Sequence, residues 1–329
     1  MTVRWRRAAV GLLMLAALGL AGLDLAGCRR GDSTHEFLAV FTPLLADPIP
    51  HAVCYGPHRD GQRPGGPDPS AAQVREDLVL MEKHWSLLRV YGADPVAATL
   101  LEAIRETGSA MKVVLGVWIA PDDPAGNAAQ VAEGIRLANA YRDVVVGVSV
   151  GNETQVSWSA HRSDLDALIG YVKQVRAGVH VPITVADDFN FWNKPESARL
   201  SPELDFILVH AHPMWNGRQA DEAVAWLAEQ LAAVGALHPG RPLVLGETGW
   251  ATSVADHGEQ ARLIRGVPGE AEQKAVYDAV RAWSRDTRRL VFWFEAFDEN
   301  WKGGDDPVEL EKHWGVYRAD RTPKAAVAP

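Results

Sequence analysis

Short apolar runs alternate with longer amphipathic segments along most of the chain. The runs are rich in Val, Ile and Leu and carry few polar side chains, a pattern typical of parallel strands that are buried on both faces. We predict eight such strands, at residues 51–56, 86–91, 111–119, 143–154, 181–186, 204–210, 243–246 and 290–294. Most segments between them repeat their apolar residues every three or four positions, as in 70–85, and are predicted to be helices.

Capping residues mark the ends of several predicted helices. Asp94 followed by a proline is typical of a helix start, and Gly108 is typical of its end. Ser163, with an acidic residue three positions later, predicts that a helix opens there, and Gly235 predicts the end of another. The predicted helices after the first therefore cover residues 95–107, 127–141, 163–179, 221–234 and 270–286.

Eight apolar strands that alternate with helices indicate an α/β protein with a parallel sheet and helical crossovers. Eight such units within residues 50–329 fit one closed (β/α)8 barrel, a TIM barrel, without a second domain. A doubly wound open sheet is the alternative. It is less favoured because no Gly-x-Gly-x-x-Gly turn follows the first predicted strand.

The N-terminus has the composition of a targeting segment. Three arginines precede an apolar run over 8–23, which is short for a spanning helix, and the following Leu-Ala-Gly-Cys28 resembles the lipobox of bacterial lipoproteins. We predict a signal peptide over 1–28, lipidation of Cys28, and a tether over 29–49. The protein would then be exported and lipid-anchored on the periplasmic side of a bacterial membrane. Arg29, in place of an aspartate, favours the outer membrane; an uncleaved membrane anchor is the alternative.

The formal net charge of −9 is mildly acidic, and no basic block follows the N-terminal arginines. Nucleic acid is therefore not an expected partner. Cys54 is the only cysteine after Cys28, so no disulfide framework within the chain is expected. Cys54 falls in an apolar strand, where a buried thiol is more common than a reactive one. We expect a monomer, because nothing in the sequence demands a larger assembly.

Two predicted strands end in a glutamate. The fourth strand ends in Gly-Asn152-Glu153, and the seventh runs into Glu247. A carboxylate at the end of a buried strand is costly unless it is paired or used. The C-terminal ends of barrel strands share one face, so the two side chains are expected to meet across the barrel mouth. Two carboxyl groups about 5–5.5 Å apart perform retaining glycoside hydrolysis, in which one attacks the sugar and the other serves as acid and base.

Aromatic and polar residues also collect at the predicted strand ends. Indole rings stack on the apolar faces of sugars, and fixed polar groups bind sugar hydroxyls, so this mixture suits a carbohydrate. The strand-end set includes Trp118, Trp158, Asp187, Asp188, His210, His212, Trp215, Trp250, Glu295, Glu299 and Trp301.

Several motifs together resemble one enzyme family. Val-Gly-Asn-Glu-Thr at 150–154 and Gly-Glu-Thr-Gly-Trp at 246–250 resemble the two catalytic signatures of glycoside hydrolase family 17, the β-1,3-glucanases of clan A. Further segments that are similar to the family lie at 54–56, 88–91, 297–302 and 311–317. The resemblance covers about residues 52–324. It implies a (β/α)8 barrel, a β-glucan polysaccharide or oligosaccharide as the partner, and neither a cofactor nor a metal.

The resemblance also implies roles for individual residues. Glu153 would be the acid/base, and Glu247 would be the nucleophile. Asn152 would hold the 2-hydroxyl of the sugar, and Tyr55 would line the site beneath it. Glu299, Lys302 and Glu311 would form a charged group near the catalytic pair. The full set of expected substrate-binding residues is Tyr55, Arg89, Tyr91, Asn152, His212, Trp250, Glu299, Trp301, Lys302 and Glu311.

Other functions remain open at this point. The loop at 56–62 resembles bacterial family members that include glucan-remodelling transglycosylases, so a β-glucan transglycosylase that shares the glycosyl-enzyme is the first alternative. His210 and His212 lie two residues apart on a strand and point to the same side. With Asp187 or Asp188 they form a possible metal site, so a metal-dependent hydrolase is the second alternative. A non-catalytic glucan-binding lipoprotein is the third.

Overall fold

A computed structural model describes residues 51–328 of the chain. These residues form eight parallel strands, and each strand pairs with the next. The last strand pairs with the first, so the sheet closes into a barrel. The predicted (β/α)8 barrel is confirmed, and the open-sheet alternative is wrong because a closed sheet has no edge strand. The strands are β1 Ala52–Cys54, β2 Leu87–Arg89, β3 Lys112–Val117, β4 Val145–Asn152, β5 Ile183–Asp188, β6 Ile207–His210, β7 Leu243–Thr248 and β8 Val291–Trp293.

Helices connect the strands around the outside of the barrel. The helices are α1 Ala71–Met81, α2 Pro95–Thr107, α3 Pro124–Ala140, α4 Leu165–Gly178, α5 Phe189–Trp192, α6 Ala223–Leu237, α7 Gly258–Leu263 and α8 Glu270–Thr287. The connection from β5 to β6 differs from the others. It contains only the short α5 and two 3-10 turns, Pro195–Arg199 and Ser201–Glu203. A third turn precedes α6, and a fourth, Leu310–Lys312, lies in the C-terminal segment.

The predicted caps are partly right. Asp94 accepts a hydrogen bond from the Ala97 amide at 2.8 Å, and Gly108 ends α2 with a φ of +69°. The prediction for α4 is wrong by one residue, because Asp164 and not Ser163 caps its first turn. The Ser163 hydroxyl instead donates to the His161 carbonyl. Gly235 does not stop α6, which continues to Leu237, since packing against the barrel outweighs the weak helix propensity of one glycine.

The predicted N-terminal features lie outside the described residues. The signal peptide, Cys28, the tether, and their consequences for localisation stay predictions. Within residues 51–328, no helix combines the length and the apolar character that are needed to cross a membrane.

A buried cluster of charges ties the first barrel unit to the C-terminal segment. Asp77 on α1 is fully buried, and both of its oxygens accept hydrogen bonds of 2.8 Å from Arg321. Arg59, in the loop after β1, donates a third bond at 2.8 Å, and the Tyr55 hydroxyl donates a fourth at 3.1 Å. A buried carboxylate is tolerated when donors surround it in this way. The cluster therefore holds the C-terminal segment against α1 and the loop after β1.

We expect Asp77→Asn to destabilise the protein by about 3–5 kcal/mol, because it leaves the buried Arg321 guanidinium without a counter-charge. The change is isosteric, so packing is retained. Urea unfolding monitored by circular dichroism measures the effect. Asp143→Asn is the matched control: this aspartate pairs with Arg105 on the surface, and its loss should barely shift the midpoint. Equal shifts in the two variants would contradict the stabilising role of the cluster.

Candidate active site

A sharp turn at the end of β4 presents Glu153. Gly151 has a φ of +78°, and Glu153 itself has a φ of +48°, a conformation that is unusual for a residue with a side chain. The turn is held by its neighbours, because the Glu153 amide donates to the Ala186 carbonyl and the Gln155 amide donates to the Asp187 carboxylate, both at 2.9 Å. Strained backbone that its surroundings enforce is a common feature of functional sites.

Glu247 on β7 is buried and surrounded by donors. Arg89 at the end of β2 donates to its Oε1 at 2.5 Å, and the Tyr91 hydroxyl donates to the same oxygen at 3.1 Å. His212 Nε2 lies 3.4 Å from the other oxygen, Oε2. Burial opposes ionisation of Glu247, but the neighbouring His210, Arg89 and His212 outweigh it and hold its pKa well below the usual range.

The two glutamates face each other with His210 between them. An oxygen of Glu153, a nitrogen of His210 and an oxygen of Glu247 all lie within 4.8 Å of one another. His210 Nδ1 is 2.9 Å from Glu153 Oε1, and Nε2 is 3.4 Å from Glu247 Oε1. The separation of the carboxyl groups is in the range of a retaining glycosidase rather than the wider range of an inverting one.

The surroundings of the two glutamates differ. Glu153 is about a quarter exposed, whereas Glu247 is almost fully buried. Two aspartates at the end of β5 lie near Glu153. Burial, together with the charge of Glu153, raises the pKa of Asp187 well above its usual range and that of Asp188 to about 6. Glu153 therefore lies among acidic groups, and Glu247 lies among cationic ones.

Arg89 links Glu247 to Asn152. Its second terminal nitrogen donates to Asn152 Oδ1 at 2.6 Å, while the first holds Glu247. The Arg89 guanidinium also lies over the Tyr91 ring, 4.6 Å from the ring centroid. Because the oxygen of the Asn152 side chain accepts from Arg89, its amide nitrogen is directed elsewhere as a donor.

A second charged group lies beside the pair, after β8. Lys302 Nζ contacts both oxygens of the fully buried Glu295, at 2.7 and 2.8 Å, and Glu299 Oε2 at 2.9 Å. Burial raises the pKa of Glu295 well above its usual range. For Glu299, burial is outweighed by Lys302 and by a hydrogen bond with His58, which together lower its pKa to about 2. One lysine thus contacts two carboxyl groups, of which one has a raised pKa and the other a lowered pKa.

Trp301 and Glu311 complete this side of the mouth. The Trp301 indole donates to Glu299 at 3.0 Å, and 40% of the residue is exposed, so a ring face is open to solvent. Glu311 accepts from two indoles, those of Trp215 and Trp314, both at 3.1 Å. The Trp314 ring in turn packs on His212, with centroids 5.0 Å apart. Glu311 therefore orients aromatic side chains, a role that the sequence did not indicate.

The structure brings together most of the predicted site residues. The cluster at the barrel mouth contains Arg89, Tyr91, Asn152, Glu153, His212, Glu247, Glu299, Trp301, Lys302 and Glu311.

Two predicted residues lie elsewhere. Tyr55 is buried and turns outward to Asp77, because successive residues along a strand point to opposite faces. Trp250 is fully buried, and its indole donates to the Val267 carbonyl at 2.9 Å. Its ring packs so closely on Gly266 that a Cβ there would approach it to 2.5 Å. Neither side chain can stack on a sugar in the mouth.

Sequence reasoning missed two residues of the site. His210 was placed in the strand-end set and considered as a possible metal ligand, but its contact with both glutamates was not predicted. Glu295 was noted at the end of β8 but given no role. The contacts of His210 involve glutamates more than 35 positions away, and those of Glu295 involve Lys302 in the loop after β8. No local sequence pattern reveals such contacts.

Three atoms of the site lie close enough together to hold a metal ion, those of Glu153, His210 and Glu247. The predicted partners Asp187 and Asp188 are committed to other bonds, since they accept from nearby backbone amides. The Arg89 guanidinium occupies Glu247 Oε1 and already supplies the positive charge that a metal would bring. The donor set therefore fits a metal centre poorly.

Two known proteins are similar to this chain over most of its length. A glucan 1,3-beta-glucosidase of Arthroderma benhamiae is 30% identical over 279 residues, which are 80% of this chain and 86% of that protein. A glucan 1,3-beta-glucosidase of Schizosaccharomyces pombe is 26% identical over 96% of this chain and 95% of its own length.

Solved structures share the fold. An endo-laminarinase from Formosa superposes with a TM-score of 0.74 at 24% identity, over 84% of this chain and 85% of that one. An active-site mutant of the β-1,3-glucanosyltransferase of Rhizomucor miehei, in complex with laminaritriose, superposes with a TM-score of 0.68 at 24% identity, over 84% and 96% of the two chains. The sequence pattern of the BtgE/BtgC glycoside hydrolase domain matches residues 52–315, most of the barrel. The chain therefore belongs to the BtgE/BtgC glycoside hydrolase family.

Proposed function

We propose that the protein is a retaining glycoside hydrolase that cleaves β-1,3-linked glucan through a glycosyl-enzyme. The observation that carries the proposal is the pair of carboxyl groups, on β4 and β7, with oxygens within 4.8 Å across the barrel mouth. The substrate class is supported by the relatives named glucan 1,3-beta-glucosidase in two fungi.

Glu247 is the nucleophile in this proposal. A nucleophilic carboxylate must be ionised when the sugar arrives, and the three cationic or donor groups around Glu247 keep it so. Glu153 is the acid/base. Among residues 51–328, no lysine or arginine side chain contacts it, and its partial exposure leaves room for a leaving sugar or an incoming water.

The reaction then proceeds in two displacements. Glu247 attacks the anomeric carbon while Glu153 protonates the departing glycosidic oxygen, which leaves an ester between Glu247 and the sugar. Glu153, now a carboxylate, takes a proton from water, and the water oxygen displaces Glu247. The amide nitrogen of Asn152, oriented by Arg89, donates to the 2-hydroxyl of the reacting sugar, a bond that strengthens in the transition state.

Exposed aromatic side chains follow several of the strands that carry site residues. Trp301 is 40% exposed beside Lys302, and Trp158 is 61% exposed five residues after Glu153. A groove of about 420 Å³ runs beside Trp118, which follows β3. These surfaces suit the stacking of several consecutive sugar rings.

A β-glucan transglycosylase is the second candidate, and the exposure of Trp158 favours it. The acid/base stands next to the leaving group, so an aromatic surface close to Glu153 can hold an acceptor sugar in place of water. The chemistry up to the glycosyl-enzyme is the same in both cases.

Product analysis tests the proposal and separates the two candidates. Purified protein is incubated with a β-1,3-glucan oligosaccharide, and the products are resolved by size over time. Products that are only shorter than the substrate support hydrolysis, and early products that are longer support transglycosylation. An unchanged substrate, with β-1,4- and β-1,6-linked oligosaccharides also unchanged, would contradict both.

We expect the acid limb of the pH profile to lie at unusually low pH. Because the pKa of Glu247 is held below its usual range, the nucleophile stays ionised as the pH falls below about 4.3, the ordinary value for a glutamate. In Arg89→Met the lost cation raises that pKa, so the acid limb should move to higher pH by about one unit or more. The measurement is kcat/KM on a dinitrophenyl β-glucoside from pH 3 to 8, with folding checked at each pH. Coincident acid limbs in the two proteins would contradict the assignment.

A further inference from the structure

Lys312 places a buried amino group among backbone carbonyls. The residue ends the fourth 3-10 turn, in the C-terminal segment, and is 4% exposed. Its Nζ donates to the Gly304 carbonyl at 2.6 Å, to the Asn300 carbonyl at 2.9 Å, and to the Lys302 carbonyl. Among the described residues these are its only hydrogen-bond partners, and none is a carboxylate. The chain after β8 therefore curls around a single nitrogen atom.

Three carbonyls around one nitrogen require the ammonium form of the lysine. A neutral amine has two N–H bonds, so its lone pair would face the third oxygen, whereas the ammonium has three donors. Converging backbone carbonyls are also the groups that replace the hydration shell of K⁺ in proteins. Gly303 and Gly304 permit the convergence, because their φ angles of +65° and +77° cost a glycine little. Lys312 thus acts as a built-in cation for residues 300–304, which we call the Lys312 loop.

We propose that Lys312 is a positioning residue that holds Trp301 at the barrel mouth through the backbone of the Lys312 loop. The inference rests on the proposed function, in which the exposed ring of Trp301 stacks on a sugar. The carbonyls of Asn300 and Lys302 flank Trp301 directly, so one ammonium fixes the backbone on both sides of the indole. The indole nitrogen makes its single hydrogen bond to Glu299.

The other end of the lysine is fixed to the barrel. Leu310, in the same 3-10 turn, is fully buried, and its amide donates to the Gln260 side chain at 3.2 Å. Glu311, which precedes Lys312, accepts hydrogen bonds from two indoles. The ammonium therefore projects from a rigid turn into an exposed loop.

Two side-chain links also hold the Lys312 loop. Lys302 contacts Glu295 and Glu299, and Asn300 Nδ2 donates to Asp60 at 2.6 Å. Both links act on the first three residues of the loop. The last two residues are glycines, which have no side chain to hold them, so the ammonium is the contact that closes the loop.

The two catalytic glutamates of the proposed mechanism take their hydrogen bonds from other elements. Arg89 and Tyr91 donate to Glu247, and Glu153 is hydrogen-bonded to His210. A displaced Lys312 loop should therefore weaken the binding of a sugar chain, which raises KM, and leave kcat nearly unchanged.

Chymotrypsin cleavage after Trp301, followed by mass spectrometry, measures the order of the loop without reference to activity. We expect Lys312→Ala to be cut there at least about tenfold faster than the wild type, because local opening exposes the peptide bond. Propylammonium replaces the atoms that this variant lacks and should slow the cleavage again. Tetramethylammonium carries the same charge but has no N–H donor, so it should have no effect. Lys274→Met, which removes an exposed ammonium on α8, is the matched control and should be cut at the wild-type rate.

A double-variant cycle locates the effect on binding. Steady-state kinetics on a β-1,3-glucan oligosaccharide are compared for Lys312→Ala, Trp301→Ala and the double variant. Each single variant should raise KM by about three- to tenfold, the range of one aromatic contact, with kcat within about twofold of the wild type. The double variant should lose little more than either single variant, because without the indole the loop has nothing to position.

Unchanged cleavage of Lys312→Ala, or equal protection by tetramethylammonium and propylammonium, would overturn the inference. Losses that add in the double variant would also overturn it, since Lys312 would then act on the site by another route. If thermal unfolding shows that Lys312→Ala does not fold, Lys312→Met, a neutral side chain of similar length, replaces it in both measurements. A wild-type protein that acts on no β-glucan would contradict the proposed function, and the cleavage rates alone would then decide whether Lys312 holds the loop.

Discussion

Glu247→Gln should lower kcat by about 10⁴-fold or more on a β-1,3-glucan and by a similar factor on a dinitrophenyl β-glucoside. The amide cannot form the glycosyl-enzyme, so a better leaving group does not help. The side chain keeps its size, and its oxygen can still accept from Arg89 and Tyr91, so the fold should survive. Rates are measured by release of dinitrophenolate and of reducing sugar, and folding by thermal unfolding. Asp278→Asn, which removes a surface carboxylate on α8, is the control and should leave both rates unchanged.

The stereochemistry of the product that azide forms in an alanine variant shows which catalytic group the variant lacks. In Glu247→Ala, azide can occupy the space of the carboxylate and attack the β-glucoside directly, and a single displacement gives an α-glucosyl azide. Nuclear magnetic resonance distinguishes this product from its β isomer. A β-glucosyl azide, or full activity in Glu247→Gln, would show that Glu247 is not the nucleophile.

Glu153→Ala should respond differently to the two substrates. On the glucan we expect a loss of about 10²–10⁴-fold, because the departing sugar hydroxyl requires a proton. On the dinitrophenyl glucoside the first displacement should remain fast, since dinitrophenolate leaves without one. The ester to Glu247 then accumulates, because no base activates water, and a burst of dinitrophenolate precedes slow turnover. Stopped-flow absorbance measures the burst and the steady rate separately.

Azide provides the control for this variant as well. It needs no general base, so it should accelerate the slow step of Glu153→Ala and give a β-glucosyl azide after two displacements. The wild-type protein should show little acceleration. A uniform loss on both substrates, with no effect of azide, would contradict the acid/base role and leave Glu153 as a residue that only supports the turn after β4.

The repeating apolar strand and amphipathic helix determined the barrel from sequence alone. Strands such as β4 are buried on both faces, so their composition identifies them without knowledge of their neighbours. The rule that strand ends share one face then placed Glu153 and Glu247 in a common mouth. Local hydrogen bonds likewise made the cap at Asp94 predictable, whereas the start of α4 was missed by one residue because Ser163 and Asp164 are both good capping residues.

Only the tertiary structure decided which side chains meet. Arg89 holds Glu247 across 158 positions of sequence, and His210 reaches Glu153 across 57. The same holds for the two predicted site residues that lie elsewhere. The Tyr55 hydroxyl donates to Asp77, and the Trp250 ring packs against Gly266. Sequence periodicity reports the face of an element on which a residue lies. Which partner occupies that face, and therefore which carboxyl group is ionised, depends on side-chain directions that are set when distant strands close into one barrel.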